Sequence, residues 1–256
     1  MSTAAIQPDL IISLSQDKVR LNLSEDPESG RQAWQTTFEV DNIFLQEQIS
    51  NAMDQALLEN PSLIDHFPCV EIVVLDQPSF FIPKQYADNG NLGEIAARYL
   101  RLRMGDTLTT DRAEDDAVIC YCLPTETMMM FKEYYSNAGC NHLSSILWHH
   151  LSSYQNRPDK NVTRLYFIVL DDILILLSEL NSKLIFSKNF SIRDKADLFY
   201  YAIACSRMIK ANEHWLVTIE DETSKFEMPG DSVLKIDEKI LVPALQVLMS
   251  QFKVCE

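Results

Sequence analysis

The chain has 256 residues, enough for one large domain or two of ordinary size, and its 46% apolar content suits a core-forming globular protein rather than a disordered one. A net charge of −15 argues against a nucleic-acid surface and against docking on anionic membranes. No stretch approaches the ~20 apolar residues needed to span a bilayer, and the opening Met1 to Pro8 lacks the basic start and apolar run of an export signal, so a cytoplasmic protein is expected.

In chain order, Asp9 to Leu14 and Val19 to Leu23 are expected as strands around a tight polar turn at Ser15 to Lys18. In the second run Val19, Leu21 and Leu23 share one face. Ala33 to Val40 is a third strand, with Trp34, Thr36 and Phe38 on one side. Asp41 or Asn42 can then cap a helix carrying Leu45, Ile49, Ala52, Met53, Ala56 and Leu57, which Asn60-Pro61 ends. Val70 to Leu75 is the next strand. Residues 76–112 read as an insertion with a short helix near Glu94 to Leu100. Asp116 to Leu123 is expected as a strand, Pro124 to Ala138 as a helix stopped by Gly139, and Leu143 to Tyr154 as a further helix.

The second half opens on Leu165 to Leu170, an unbroken apolar run rich in aromatic and β-branched residues, which suits a strand buried on both faces. Polar breaks at Asp171-Asp172 and Asn181-Ser182 fold the following runs, Ile173 to Leu177 and Lys183 to Lys188, into an antiparallel meander. Ser191 to Asp194 has the form of a capping box before a helix carrying Phe199, Ala202, Ile203 and Ile209. Trp215 to Ile219 returns as a strand, and a last amphipathic helix carries Leu245, Leu248, Met249 and Phe252. Three strands, a helix and a strand therefore occur twice, in residues 1–157 and 158–256. The repeat lies in element order and not in residue identity.

That duplicated order resembles the paired ribonuclease-H-like domains of the actin-like ATPase superfamily, an α/β fold with mixed sheets, and in outline its pilus-assembly and cell-division members. More narrowly, Pro78 to Tyr86, Ala117 to Met130, and Asn189-Phe190 followed by Asp197 and Tyr200-Tyr201 are similar to a bacterial domain-of-unknown-function family of this fold. The superfamily resemblance implies a nucleotide held between the domains by backbone amides of glycine-bearing turns, because only glycine lets the backbone approach phosphates at positive φ. This chain has six glycines, none adjacent, against the roughly 18 that an average content would give. The turns at Ser13 to Lys18, at Leu170 to Ile173 and at Glu220 to Ser224 lack glycine, and the last two are acidic. The expectation is a non-catalytic interaction or scaffold protein without a cofactor, whose partner is a protein and which can form a homo-oligomer. The alternative is a divergent ATPase binding Mg-ATP through Ser13, Ser15, Asp171 and Asp172.

Arg98, Arg101 and Arg103 form a basic concentration in an acidic chain and suit an anionic partner, although Arg101-Leu102-Arg103 also fits the polar face of an edge strand. Asp197, Tyr200 and Tyr201 form a second candidate interface, since tyrosine is favoured in such patches. His142 and His149 share a predicted helix face with no carboxylate or cysteine at ligand spacing, Cys120 and Cys122 lack the second pair a metal site needs, and the six cysteines are expected as thiols. Met128 to Met130 suits either core packing or a pliable surface. A ribonuclease-H-type hydrolase needs convergent acids, of which the first half supplies only Asp9 and Asp17.

Overall fold

The computed structural model describes residues 9–27, 30–41, 46–65, 67–88, 90–113, 117–152, 161–220, 226, 234–244 and 248. The first half opens with β1 (Leu10–Ser15), β2 (Lys18–Leu23) and β3 (Trp34–Glu39), followed by α1 (Gln46–Glu59) and β4 (Val70–Val74). An inserted unit follows: β5 (Ser79–Pro83), α2 (Lys84–Asp88), α3 (Leu92–Tyr99), β6 (Asp106–Arg112) and β7 (Ala117–Pro124). The half ends with α4 (Thr125–Tyr134), β8 (Gly139–His142) and α5 (Leu143–Ser152). The second half comprises β9 (Thr163–Leu170), β10 (Ile173–Leu180), β11 (Lys183–Ser191), α6 (Lys195–Ile209), β12 (Glu213–Ile219) and β13 (Glu238–Val242).

The two halves carry the same sheet. Strand order is β3-β2-β1-β4-β8 in one and β11-β10-β9-β12-β13 in the other. In each, the first three strands form an antiparallel meander and the last two run parallel to the first. The repeat therefore extends one strand further than the sequence pattern suggested. The strand read at Asp116 to Leu123 corresponds to β7, which is the centre of a separate antiparallel sheet ordered β5-β7-β6. The capping-box reading at Ser191 is corrected: Ser191 ends β11, and Asp194 is the cap, its carboxylate accepting from Ala196 N and Asp197 N. Of the expected last helix only Leu248 is described, and it is buried.

Alternation along the strands decides what lies between the halves. Leu10, Ile12 and Leu14 face α1 and α4, whereas Ile11 and Val73 share one core with α5 and with Ile168, Ile175 and Val217 of the second sheet. Leu165, Phe167, Leu174 and Leu176 face α6 on the far side. Ser13 and Ser15 stand on the Ile11 face of β1 by the same two-residue period, and so point toward the other half.

Two polar contacts fix the inserted unit. Asp111 of β6 accepts from the Tyr121 hydroxyl at 2.9 Å, from His142 N at 2.5 Å and from Ser145 Oγ at 2.6 Å, joining the insertion to the start of α5. Burial pushes the Asp111 carboxyl up to about 6 despite those donors. From the second half, Asn189 on β11 donates to Gln77 O at 2.6 Å and accepts from Ser79 N at 3.3 Å. One side chain thereby satisfies two backbone groups at the entry to β5.

Candidate functional site

The turn between β1 and β2 meets the turn between β9 and β10 at the junction of the halves. Ser13, Ser15, Asp17, Lys18, Arg20, Asp171 and Asp172 line the space between them, so the four residues that the sequence suggested for nucleotide binding do come together. The second turn is tight because Asp171 takes a left-handed φ of 49°, which aspartate tolerates through its short polar side chain.

Lys18 occupies the middle of this junction. Its Nζ donates to Asp171 Oδ2 at 3.3 Å, across 153 residues of sequence. Partial burial disfavours the ammonium, but the Asp171 charge and hydrogen bond, with Asp17 and Glu39, outweigh this and hold its pKa above the ordinary lysine value. The remaining enclosed space is about 20 Å³, room for about one water molecule, whereas small-molecule pockets enclose some 300–1,000 Å³. Ser15 Oγ donates to Asp17 Oδ1 at 3.2 Å. Ser13 Oγ is buried with no hydrogen-bond partner.

Asp76, just after β4, completes the acidic rim. Its Oδ2 accepts from Gln16 N at 2.7 Å. Burial drives its carboxyl up to about 6, the Gln16 amide opposes the rise, and the Asp17 and Asp172 charges add to it. Among the described residues no group of three or more His, Cys, Asp or Glu side chains is placed to hold a metal. The third turn is described only at Glu220, whose amide donates to Val242 O at 2.9 Å; residues 221–225 lie outside the described residues.

The other candidates are spread over the molecule. Arg98 is exposed at the end of α3, and Arg101 and Arg103 are exposed in the irregular segment that follows, not on an edge strand. Asp197 accepts from Arg193 Nε at 2.9 Å, and that hydrogen bond holds its carboxyl below the usual range. Tyr200 is 68% exposed, whereas Tyr201 turns inward and stacks on Phe190 with ring centroids 4.2 Å apart. His142 is corrected from a helix position to the end of β8. It is fully buried, bonded through Nε2 to Gln77 O at 2.9 Å, and pushed down to about 4 by burial. Cys120 and Cys122 pack in the inserted unit, with burial raising their thiols to about 12 and about 11. Cys120, Cys122, Cys140 and Cys205 are free, but Cys69 is held in a disulfide, against the all-thiol expectation.

The chain also aligns a serine, a histidine and an aspartate that no sequence spacing announced. Ser206 Oγ lies 2.7 Å from His214 Nε2, and His214 Nδ1 lies 3.8 Å from Asp237 Oδ2. This trio lacks the surroundings of a nucleophile. Ser206 is buried in the last turn of α6, where the free backbone groups are carbonyls that would repel an oxyanion. It serves to pin α6 to β12 and to the entry of β13.

Similarity to solved structures defines the class: this is an actin-like ATPase fold. A Bacteroides thetaiotaomicron protein described as having an actin-like ATPase fold and unknown function matches with a TM-score of 0.72 and 16% identity, over 98% of this chain and 97% of that one. Fainter likenesses include the cytoplasmic domain of EpsL, an inner-membrane component of the Vibrio cholerae type II secretion system, at a TM-score of 0.46 and 11% identity over 95% and 93% of the two chains. Another is the PilM-PilN type IV pilus biogenesis complex, at a TM-score of 0.48 and 10% identity over 84% and 82%. Residues 2–217 match the family described as Protein of unknown function (DUF3822), and the chain belongs to that family. No curated protein matches the sequence. No helix among the described residues is long and apolar enough to cross a membrane.

Proposed function

We propose that the chain is a non-catalytic interaction protein that keeps the actin-like fold for its surfaces and has lost the nucleotide site. One observation carries this reading: Lys18 bridges to Asp171 across the junction of the halves, where a phosphate chain would have to lie. The fit of Mg-ATP to these residues is poor. The cleft lacks the needed volume, its turns offer carboxylates rather than glycine amides, and the lysine is already paired. Like charges at close range oppose phosphate binding unless a metal intervenes. The partner on this reading is another protein, which can include a second copy of the chain, and the net charge of −15 disfavours nucleic acid as that partner.

The divergent ATPase reading has one observation in its favour, the unpartnered Ser13 Oγ facing the cleft. It requires the Lys18–Asp171 pair to open. Titration calorimetry with Mg-ATP, Mg-ADP and metal-free ATP, alongside melting temperature, separates the two readings, because a ligand that binds only the folded state must stabilise it. No heat and no melting shift at millimolar nucleotide is the expected result. Heat and a rise in Tm with Mg-ATP, abolished by Asp171→Ala, would instead establish the ATPase-type site.

A further inference from the structure

Each large sheet ends in two edge strands, and an edge left open is a template for another chain. Among the described residues three of these four edges are guarded. Tyr121 and Asp111 of the inserted unit bond to Cys140 O and His142 N of β8. β11 bulges at Ile185, which its pairing with β10 skips, and it holds the insertion through Asn189. β13 exposes Lys239 near its centre. The fourth edge, β3, has none of these devices. It pairs with β2 in unbroken register from Trp34 to Glu39, and Gln35 to Phe38 bring neither charge nor proline. Val40 N donates to Asp17 O at 2.8 Å, so alternation turns the amides and carbonyls of Gln35, Thr37 and Glu39 away from β2. On that open side no described strand meets them.

The start of β3 runs into an open groove of about 770 Å³, between Arg31 to Trp34 on one side and the end of α1 with the helical turn Pro61–Ile64 on the other. Its lining holds four carboxylates, Asp9, Asp26, Glu59 and Asp65, against one guanidinium. That guanidinium, on Arg31, is already engaged: it donates to Asp9 at 2.7 Å and lies over the Phe67 ring. Glu59 accepts from the neutral Gln55 Nε2 at 3.0 Å, and among the described residues no cation pairs with it or with Asp65. Both are exposed, as are their chain neighbours Leu58 and Ile64, by 83% and 74%. Trp34 stands half-buried where groove and edge meet.

We propose that β3 accepts an added strand from a partner protein: an extended segment of β-branched residues with lysine or arginine at the end nearest Trp34. Main-chain bonds to Gln35, Thr37 and Glu39 supply the affinity, and the basic side chains enter the groove to meet Glu59 and Asp65. Charge decides between occupants. A second copy of this chain would bring another net charge of −15, and its own Glu39, to an acidic groove, whereas a basic segment is attracted. The proposal rests on the reading that this fold is kept for its surfaces.

The test is fluorescence anisotropy of a short dye-labelled peptide titrated with the full chain. The peptide alternates valine and threonine and carries a lysine pair at each end, so that either strand direction is served. It is expected to bind, more weakly as salt rises. Replacing its lysines by glutamate, or N-methylating its central amides, should abolish binding. The double variant E59Q/D65N should weaken binding about three- to tenfold and flatten its salt dependence, whereas Glu126→Gln on α4 should leave it unchanged. Thr37→Pro removes an outward amide without touching the β2 ladder and should also abolish binding. An unchanged Tm would confirm the fold of that variant, and the N-methylated peptide tests the edge independently of it. Equal binding of the glutamate or the N-methylated peptide, indifference to E59Q/D65N, or no binding at all would overturn the proposal. So would a sedimenting dimer that Thr37→Pro disperses, because a second copy would then hold the edge. Mg-ATP calorimetry on the same sample keeps the two readings distinct: nucleotide heat beside peptide binding would sink only the lost nucleotide site, and silence from both would sink only the added strand.

Discussion

Asp111 is where a single side chain has most to lose. Its three donors come from positions 10, 31 and 34 residues away, so nothing in the local sequence distinguishes it from the other acids of the insertion. Removing the carboxylate strands the buried His142 amide, whereas the Tyr121 and Ser145 hydroxyls keep the Cys140 and His142 carbonyls as acceptors, and a buried unsatisfied group costs about 1–3 kcal/mol. Asp111→Ala should therefore lower unfolding free energy by about 1–3 kcal/mol in urea denaturation, and Asp111→Asn by distinctly less. A loss below about 0.5 kcal/mol for the alanine variant would mean the network rearranges. Lys18 was hidden from sequence reasoning for the same cause. The resemblance to the actin-like superfamily, which implies two turns meeting at one site, made Ser13, Ser15, Asp171 and Asp172 legible as a group, but the lysine gains meaning only from a partner 153 residues away.

Among the elements, β9 to β11 and α6 were legible because hydrophobic runs, two-residue polar breaks and a helical spacing each leave a local signature. β8 left none: Gly139-Cys-Asn-His142 contains no β-branched residue and is a strand because a parallel neighbour supplies its hydrogen bonds, a case of tertiary context overriding propensity. β13 was missed although Ile240 and Val242 alternate along it as a strand requires. β5 and β6 were similarly obscured within what read as an irregular insertion. β11 carries a second duty through Asn189. Asn189→Ala would leave Gln77 O and Ser79 N without this partner, with an expected cost of about 1–3 kcal/mol. Limited proteolysis should then cut near the start of β5 faster than in the parent chain. Unchanged cleavage with unchanged stability would show that water replaces the amide at no cost.

For the whole molecule, pH is the informative variable. Burial raises the carboxyls of Glu71 to about 7 and of Asp76 and Asp111 to about 6. A native state that holds protons more tightly than the unfolded chain gains stability that is full below about pH 4 and is lost as pH climbs through 6 to 7. His142 works in the opposite sense: pushed down to about 4, it favours the fold above about 6.5 and withdraws that support as pH falls. Three groups oppose one, and approaching the isoelectric point relieves self-repulsion, so Tm should rise when pH is lowered from 8 to about 5.5. Asp76→Asn, which imitates the protonated acid, should raise Tm at pH 7.5 and leave it nearly unchanged near pH 5. A Tm that falls steadily from pH 8 to 5.5 would contradict the assignment.

The Asn189 bridge also bears on how the chain is made. Its two bonds span 110 and 112 residues, and the core around α5 draws half its side chains from strands beyond residue 160. While a ribosome has delivered only the first half, Trp148 and Leu151 have no second sheet to cover them, and Gln77 and Ser79 have no asparagine to meet. The earlier half must wait, with an apolar helix face uncovered, until β9 to β12 emerge. Its maturation is thus tied to the emergence of the second sheet, and the bridge from Asn189 can close only after β11 has been made.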